Sequence, residues 1–80
     1  MEIGEAVTSR ILNLRQSRNI NVHKLCTMSG VTQSTVNNII NGRNNSTTVA
    51  TIHKLCDGLN ISVREFFDDL RFEGLEQEIK

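Results

Sequence analysis

An all-helical domain is what this chain predicts, and three observations predict it. Apolar residues recur at steps of three and four in successive stretches, and no stretch alternates convincingly at period two. The breaks between stretches carry helix-capping and turn residues, and proline is absent. At 80 residues the chain can build one small domain around a single core.

Ile3, Val7, Ile11 and Leu14 draw one apolar stripe along residues 3 to about 18, with Arg10, Arg15 and Arg18 off it. Asn-Ile-Asn at 19–21 ends this helix, and Asn21 caps a second one, through about Met28, that turns Val22, Leu25 and Cys26 inward. Ser29-Gly30 makes a tight break. Thr32 caps a third helix, Gln33 to about Asn41, with Val36, Ile39 and Ile40 on one side, and Gly42 fits the left-handed position that ends it. Beyond the polar loop 43–48, Val49, Ile52, Leu55, Cys56 and Leu59 mark a fourth helix, which Gly58 weakens locally. Ser62 and Glu65 make a capping box that opens a fifth, carrying Val63, Phe66, Phe67 and Leu70. Residues 1–70 thus form the domain and 71–80 an acidic amphipathic tail. Phe72, Leu75 and Ile79 give the tail the spacing of a short sixth helix, able to dock on its own domain or on a second subunit, and a frayed end fits as well.

Formal net charge is zero, but the charges are segregated. Between Ala6 and Cys56 stand Arg10, Arg15, Arg18, Lys24, Arg43 and Lys54 and no acid, a local charge of +6. Residues 57–80 hold seven acids against Arg64, Arg71 and Lys80, a local charge of −4. A basic first two-thirds with an acidic end can face a polyanion on one side only, and an unevenly charged but solvated surface is the plainer reading. Two cysteines without a CxxC pair suit reduced thiols in a cytoplasmic compartment. The N-terminus has no apolar run of the kind a signal peptide or membrane span needs, so no membrane partner is expected.

The tetrapeptide His-Lys-Leu-Cys occurs twice, at 23–26 and 53–56, and uses every histidine and cysteine in the chain. A helix puts His and Cys three apart on one face, so two such pairs could complete a tetrahedral zinc shell. That would pull Cys26 and Cys56 out of the apolar positions they share with Leu25 and Leu55, so packing is preferred and no metal is expected. An enzyme is not expected either, nor a cofactor. No carboxylate lies between Ala6 and Cys56 to orient a histidine, and no glycine-rich phosphate loop follows a strand. Asp68 and Asp69 are adjacent, so on a helix they point different ways and solvate its end.

The third helix has an outer face of Gln33, Ser34, Thr35, Asn37 and Asn38, polar and uncharged. A merely solvated helix more often carries Lys and Glu. Side-chain amides donate and accept together toward adenine, hydroxyls reach either partner, and threonine methyls meet thymine methyls, so such a face suits base edges.

The run Leu25-Cys26-x-x-Ser29-Gly30-Val31-Thr32-Gln33-Ser34-Thr35-Val36-Asn37-Asn38-Ile39-Ile40-Asn41-Gly42 is followed by Ile52-x-x-Leu55-Cys56-Asp57-Gly58-Leu59-Asn60-Ile61-Ser62 and Glu65-Phe66-Phe67. Over roughly residues 5 to 68 this resembles the phage repressor and Cro type of helix-turn-helix, the large xenobiotic-response-element-like family of bacterial regulators. The resemblance implies a compact five-helix lambda-repressor-like DNA-binding domain, with residues 33–41 in a major groove, residues 21–29 crossing the backbone, and paired subunits on a palindromic operator. Thr32, Gln33, Ser34, Asn37 and Asn38 would read bases. Arg15, Asn21, His23, Lys24, Asn41, Arg43 and Asn44 would face phosphates. The implied protein is a transcriptional regulator, a repressor before an activator, homodimeric at least on DNA. The alternative is a helix-turn-helix module for protein contacts or an antitoxin component, with the C-terminal tail as a surface for a protein partner.

Three positions depart from the family pattern. Valine stands at 22, where many members use glutamine on a phosphate. Isoleucine stands at 40, where many have a glutamate paired with an arginine matching Arg15, which leaves Arg15 freer for phosphate. Thr47 replaces a common proline and loosens the loop before the fourth helix.

Overall fold

The computed structural model describes residues 2–41 and 47–75. It contains α1 (Ile3–Ser17), α2 (Val22–Ser29), α3 (Gln33–Ile40), α4 (Val49–Leu59), α5 (Val63–Phe67) and a single 3-10 turn, Leu70–Phe72. Among the described residues there is no strand. The expected all-helical class and five helices are therefore present, and the ends agree closely with the capping signals.

Most boundaries have a local cause. Glu5 accepts from the Glu2 amide at 3.4 Å, and the carboxylate stands where the exposed amides of the first turn favour negative charge. Asn19, at φ 54°, turns the chain out of α1. Asn21 Oδ1 accepts from the Lys24 amide at 2.8 Å and opens α2. Gly30, at φ 69°, closes α2 while its amide donates to Cys26. A side chain would be strained in that conformation, which is why the turn between α2 and α3 has glycine. Thr32 Oγ1 caps Thr35 at 3.2 Å, Thr48 Oγ1 caps Thr51 at 3.1 Å, and Ser62 Oγ caps Glu65 at 3.0 Å.

The core is one cluster. Val7, Ile11 and Leu14 of α1 meet Leu25 and Cys26 of α2, Val36 and Ile39 of α3, and Ile52, Leu55, Cys56 and Leu59 of α4, with Phe66 of α5 fully buried. These are the residues the helical spacing turns inward. Ile3 and Val49 lie at helix starts and are exposed, beyond the reach of the neighbouring helices.

Four readings change. The fifth helix stops at Phe67, and Leu70, assigned to its apolar side, sits in the 3-10 turn and is 81% exposed. The reason is Arg10, expected off the apolar stripe of the first helix. Its Nε donates to the Phe66 carbonyl at 2.8 Å and its Nη2 to the Glu65 carbonyl at 2.9 Å, so α1 itself caps the end of α5. Asp69 is no solvating acid: it receives Arg71 Nη1 at 2.9 Å and lies 3.4 Å from Arg10 Nη1. The Arg71 amide and then its guanidinium hold the Asp69 carboxyl below the usual carboxylate range. The start of the tail is a 3-10 turn, not an α-helix, and Gly74 at φ 65° follows it. Phe72 packs against Phe67 at a ring separation of 4.8 Å, and Arg71 Nε donates to Ser9 on α1 at 2.8 Å. The remainder of the tail, with Ile79, lies outside the described residues.

Candidate nucleic-acid interface

Helices α2 and α3 meet through a turn whose centre, Val31, is buried. With Val36 and Ile39 committed to the core, the helical period leaves Gln33, Ser34 and Asn37 exposed on the far side of α3. Asn38 is half-buried at the edge of that face. Thr32 is exposed, but its hydroxyl is held by the Thr35 amide and lies 2.8 Å from the Thr35 hydroxyl. Thr35 is half-buried, so it belongs to the cap more than to the outer face. The result is a surface of side-chain amides and a hydroxyl carrying no charge, set on a helix fixed at both ends.

Flanking groups come from α2. Asn21, which caps α2, and His23 and Lys24 in its first turn are all exposed, and Asn41 is exposed just past α3. The Asn21 side chain is engaged in capping, which leaves its amide NH2 available. Val22 is half-buried against the core, so the apolar side chain standing at the family's glutamine position packs inward. Arg43 and Asn44 lie outside the described residues, as does Gly42.

Arg15 is half-buried, donates Nη1 to the Ile20 carbonyl at 2.9 Å, and has a buried Nε without a hydrogen-bond partner. Ile40, in place of an acid, packs against the core, so the guanidinium is tied to the turn before α2. A side chain expected to be freer is partly committed to backbone.

Both copies of His-Lys-Leu-Cys lie on helices, and in each the Leu-Cys pair is buried: Leu25 and Cys26 on α2, Leu55 and Cys56 on α4. Burial pushes both thiols up from their ordinary value, and the adjacent Asp57 carboxylate pushes Cys56 in the same direction. Neutral thiols of this kind behave as small apolar side chains. The histidines are exposed, and His53 lies 3.6 Å from Asp57 one helical turn on.

Two short helices joined by a glycine turn, the second presenting an uncharged polar face and the pair braced by three further helices, define a helix-turn-helix domain of the kind found in DNA-binding regulators. A helix-turn-helix family model matches residues 11–66. The chain belongs to that family, in its phage repressor and Cro branch. Among solved structures it is similar to the crystal structure of the prophage Lp1 protein 11, with 36% sequence identity and a TM-score of 0.80, over 94% of this chain and 100% of that one. No curated protein matches it. Among the described residues no helix is long and apolar enough to cross a membrane.

The sequence had no signal for two arginines that brace the domain behind the site. Arg10 and Arg71 read as ordinary basic residues because their partners are backbone carbonyls or lie more than fifty residues away.

Proposed function

We propose that this protein is a sequence-specific double-stranded DNA-binding regulator, a repressor before an activator, that inserts α3 into the major groove of a palindromic operator. The observation that carries the reading is the uncharged, hydrogen-bonding outer face of α3, bordered by the exposed Asn21, His23 and Lys24 of α2. Gln33, Ser34, Asn37 and Asn38, with Thr32 at the edge, read bases. Asn21, His23, Lys24 and Asn41, together with Arg43 and Asn44, face phosphates, and Arg15 adds attraction at longer range. Repression needs no further contact surface, since a protein seated in the groove excludes a competitor.

Selection of preferred duplexes from a random pool, then titration at two salt concentrations, tests the reading. Affinity is expected to fall with salt at a slope of about −0.9 per phosphate neutralised. Gln33→Ala is expected to cost about 1–3 kcal/mol on the selected operator and to blunt discrimination among sequences. An equal loss on random DNA would remove the base-reading role. No binding even at low salt would turn the reading to a module for protein contacts.

A palindrome requires two subunits, with recognition helices about 34 Å apart. Of the apolar residues at the α5 end, Phe66 is buried, Phe67 and Phe72 are half-buried, and Leu70 stands fully in solvent, so Leu70 is the group free to meet a second copy. Leu70→Ser is expected to lower the dimer fraction, and operator affinity with it, while leaving the helical content of each subunit unchanged by circular dichroism. Sedimentation with and without operator DNA checks this. A dimer fraction equal to that of the parent chain would exclude this face.

A further inference from the structure

The hydroxyl of Thr8, on α1, donates to the carbonyl of Ile39, on α3, at 2.9 Å and across 31 residues of sequence. We propose that Thr8 is a positioning residue for DNA reading, which fixes α3 along its axis so that Asn37 and Asn38 meet the bases in register. The proposal rests on the reading that α3 enters the groove.

Three observations carry it. Ile39 lies in the last turn of α3, where the regular ladder of backbone bonds runs out, and its carbonyl accepts the Thr8 hydroxyl there. A threonine inside a helix commonly returns its hydroxyl to a carbonyl of the preceding turn, whereas Thr8 reaches outward to another helix. Among the described residues this is also the only hydrogen bond joining α3 to any other helix. The rest of the attachment is apolar, through Val36, Ile39 and Ile40. Apolar contact is non-directional and tolerates small slides, while a hydrogen bond has a preferred length and angle. A binding surface must be held to within about 0.5 Å to keep its geometry, so one directional bond at the far end of α3 complements the Thr32 cap at its start.

The test uses Thr8→Val, which keeps the branched shape and removes the donor, and Thr8→Ser, which keeps the donor. The quantity measured is the ratio of affinities for the selected operator and for duplexes with single base changes, because that ratio does not depend on how much of the protein is folded. Positions read by Asn38 are identified beforehand with Asn38→Ala, and those read by Gln33 with Gln33→Ala. Thr8→Val is expected to lose roughly five-fold in discrimination at the Asn38 positions, the scale of one net hydrogen bond, and little at the Gln33 positions. Thr8→Ser is expected to recover it. Should Thr8→Val fail to fold, Thr8→Ala is read in the same way against Thr8→Ser. Uniform weakening on every duplex with unchanged ratios means that Thr8 only stabilises the fold, and overturns the proposal. A parent chain that binds no duplex removes the DNA reading itself, an outcome visible before any variant is made.

Discussion

Phe66→Ala is expected to lower the stability of the domain by about 3–5 kcal/mol, the cost of emptying a large buried aromatic site. Phe66 is fully buried, and its ring meets Phe67 edge-on at 5.0 Å and Phe72 at 6.0 Å, so all three phenylalanines of the chain form one cluster. The helix that carries it has five residues, far below the length at which a helix is stable alone. Its position depends on the buried ring and on the bond from Arg10 to the Phe66 carbonyl. A chain of 80 residues has roughly 4–12 kcal/mol of stability in total, so the truncation removes a large share and brings the domain close to unfolding. Urea unfolding followed by circular dichroism measures the loss. Phe66→Leu, which refills most of the volume, should lose less than half as much. A loss below about 1 kcal/mol for the alanine variant would mean that the site collapses around the gap and that α5 is not held by this ring.

The parts of the fold legible in the sequence are those with local causes. Asn21, Thr32 and Ser62 announce helix starts because the capping bond spans three residues, and Gly30 announces a turn because its backbone angle excludes most side chains. The apolar steps of α1 through α4 name the core because a helix has a fixed period. What stayed hidden depends on distant partners. Arg10 is indistinguishable in sequence from the solvated Arg18, and only the approach of α1 to the end of α5 turns it into a cap. The same approach ends α5 before Leu70, which a period count alone carries into the helix.

For the candidate site the division is similar. That Gln33, Ser34 and Asn37 share an outer face follows from the inward turn of Val36 and Ile39. That Thr35 is drawn into the cap, that Arg15 is tied to Ile20, and that Thr8 reaches Ile39 all required the packing to be seen. The outer face is readable because it is what packing leaves over; its bracing is not, because it is made of contacts between elements.

Gly58→Ala is the second large effect, and here helix propensity and packing predict opposite signs. Gly58 lies inside α4 without a positive φ, so replacing it by alanine should stabilise the helix by about 1 kcal/mol on propensity alone. A Cβ at that position, however, would stand 2.7 Å from Ser29 Cα and 2.8 Å from the Met28 carbonyl carbon. These are backbone atoms of the last turn of α2, so no side-chain rotation relieves the overlap and the helix itself must move. Overpacking of this kind costs about 1–3 kcal/mol, and with backbone on both sides the upper part of that range applies, which exceeds the propensity gain. The glycine that looks like a weak point of α4 is therefore what lets α2 lie close enough for Leu25 and Cys26 to reach the core. Because α2 leads directly through Gly30 into α3, its displacement should also disturb the polar face. The expected result is a lower urea midpoint together with weaker binding to the selected operator. An alanine variant more stable than the parent would show that α2 and α4 can separate freely, and that Gly58 has no part in setting the distance between them.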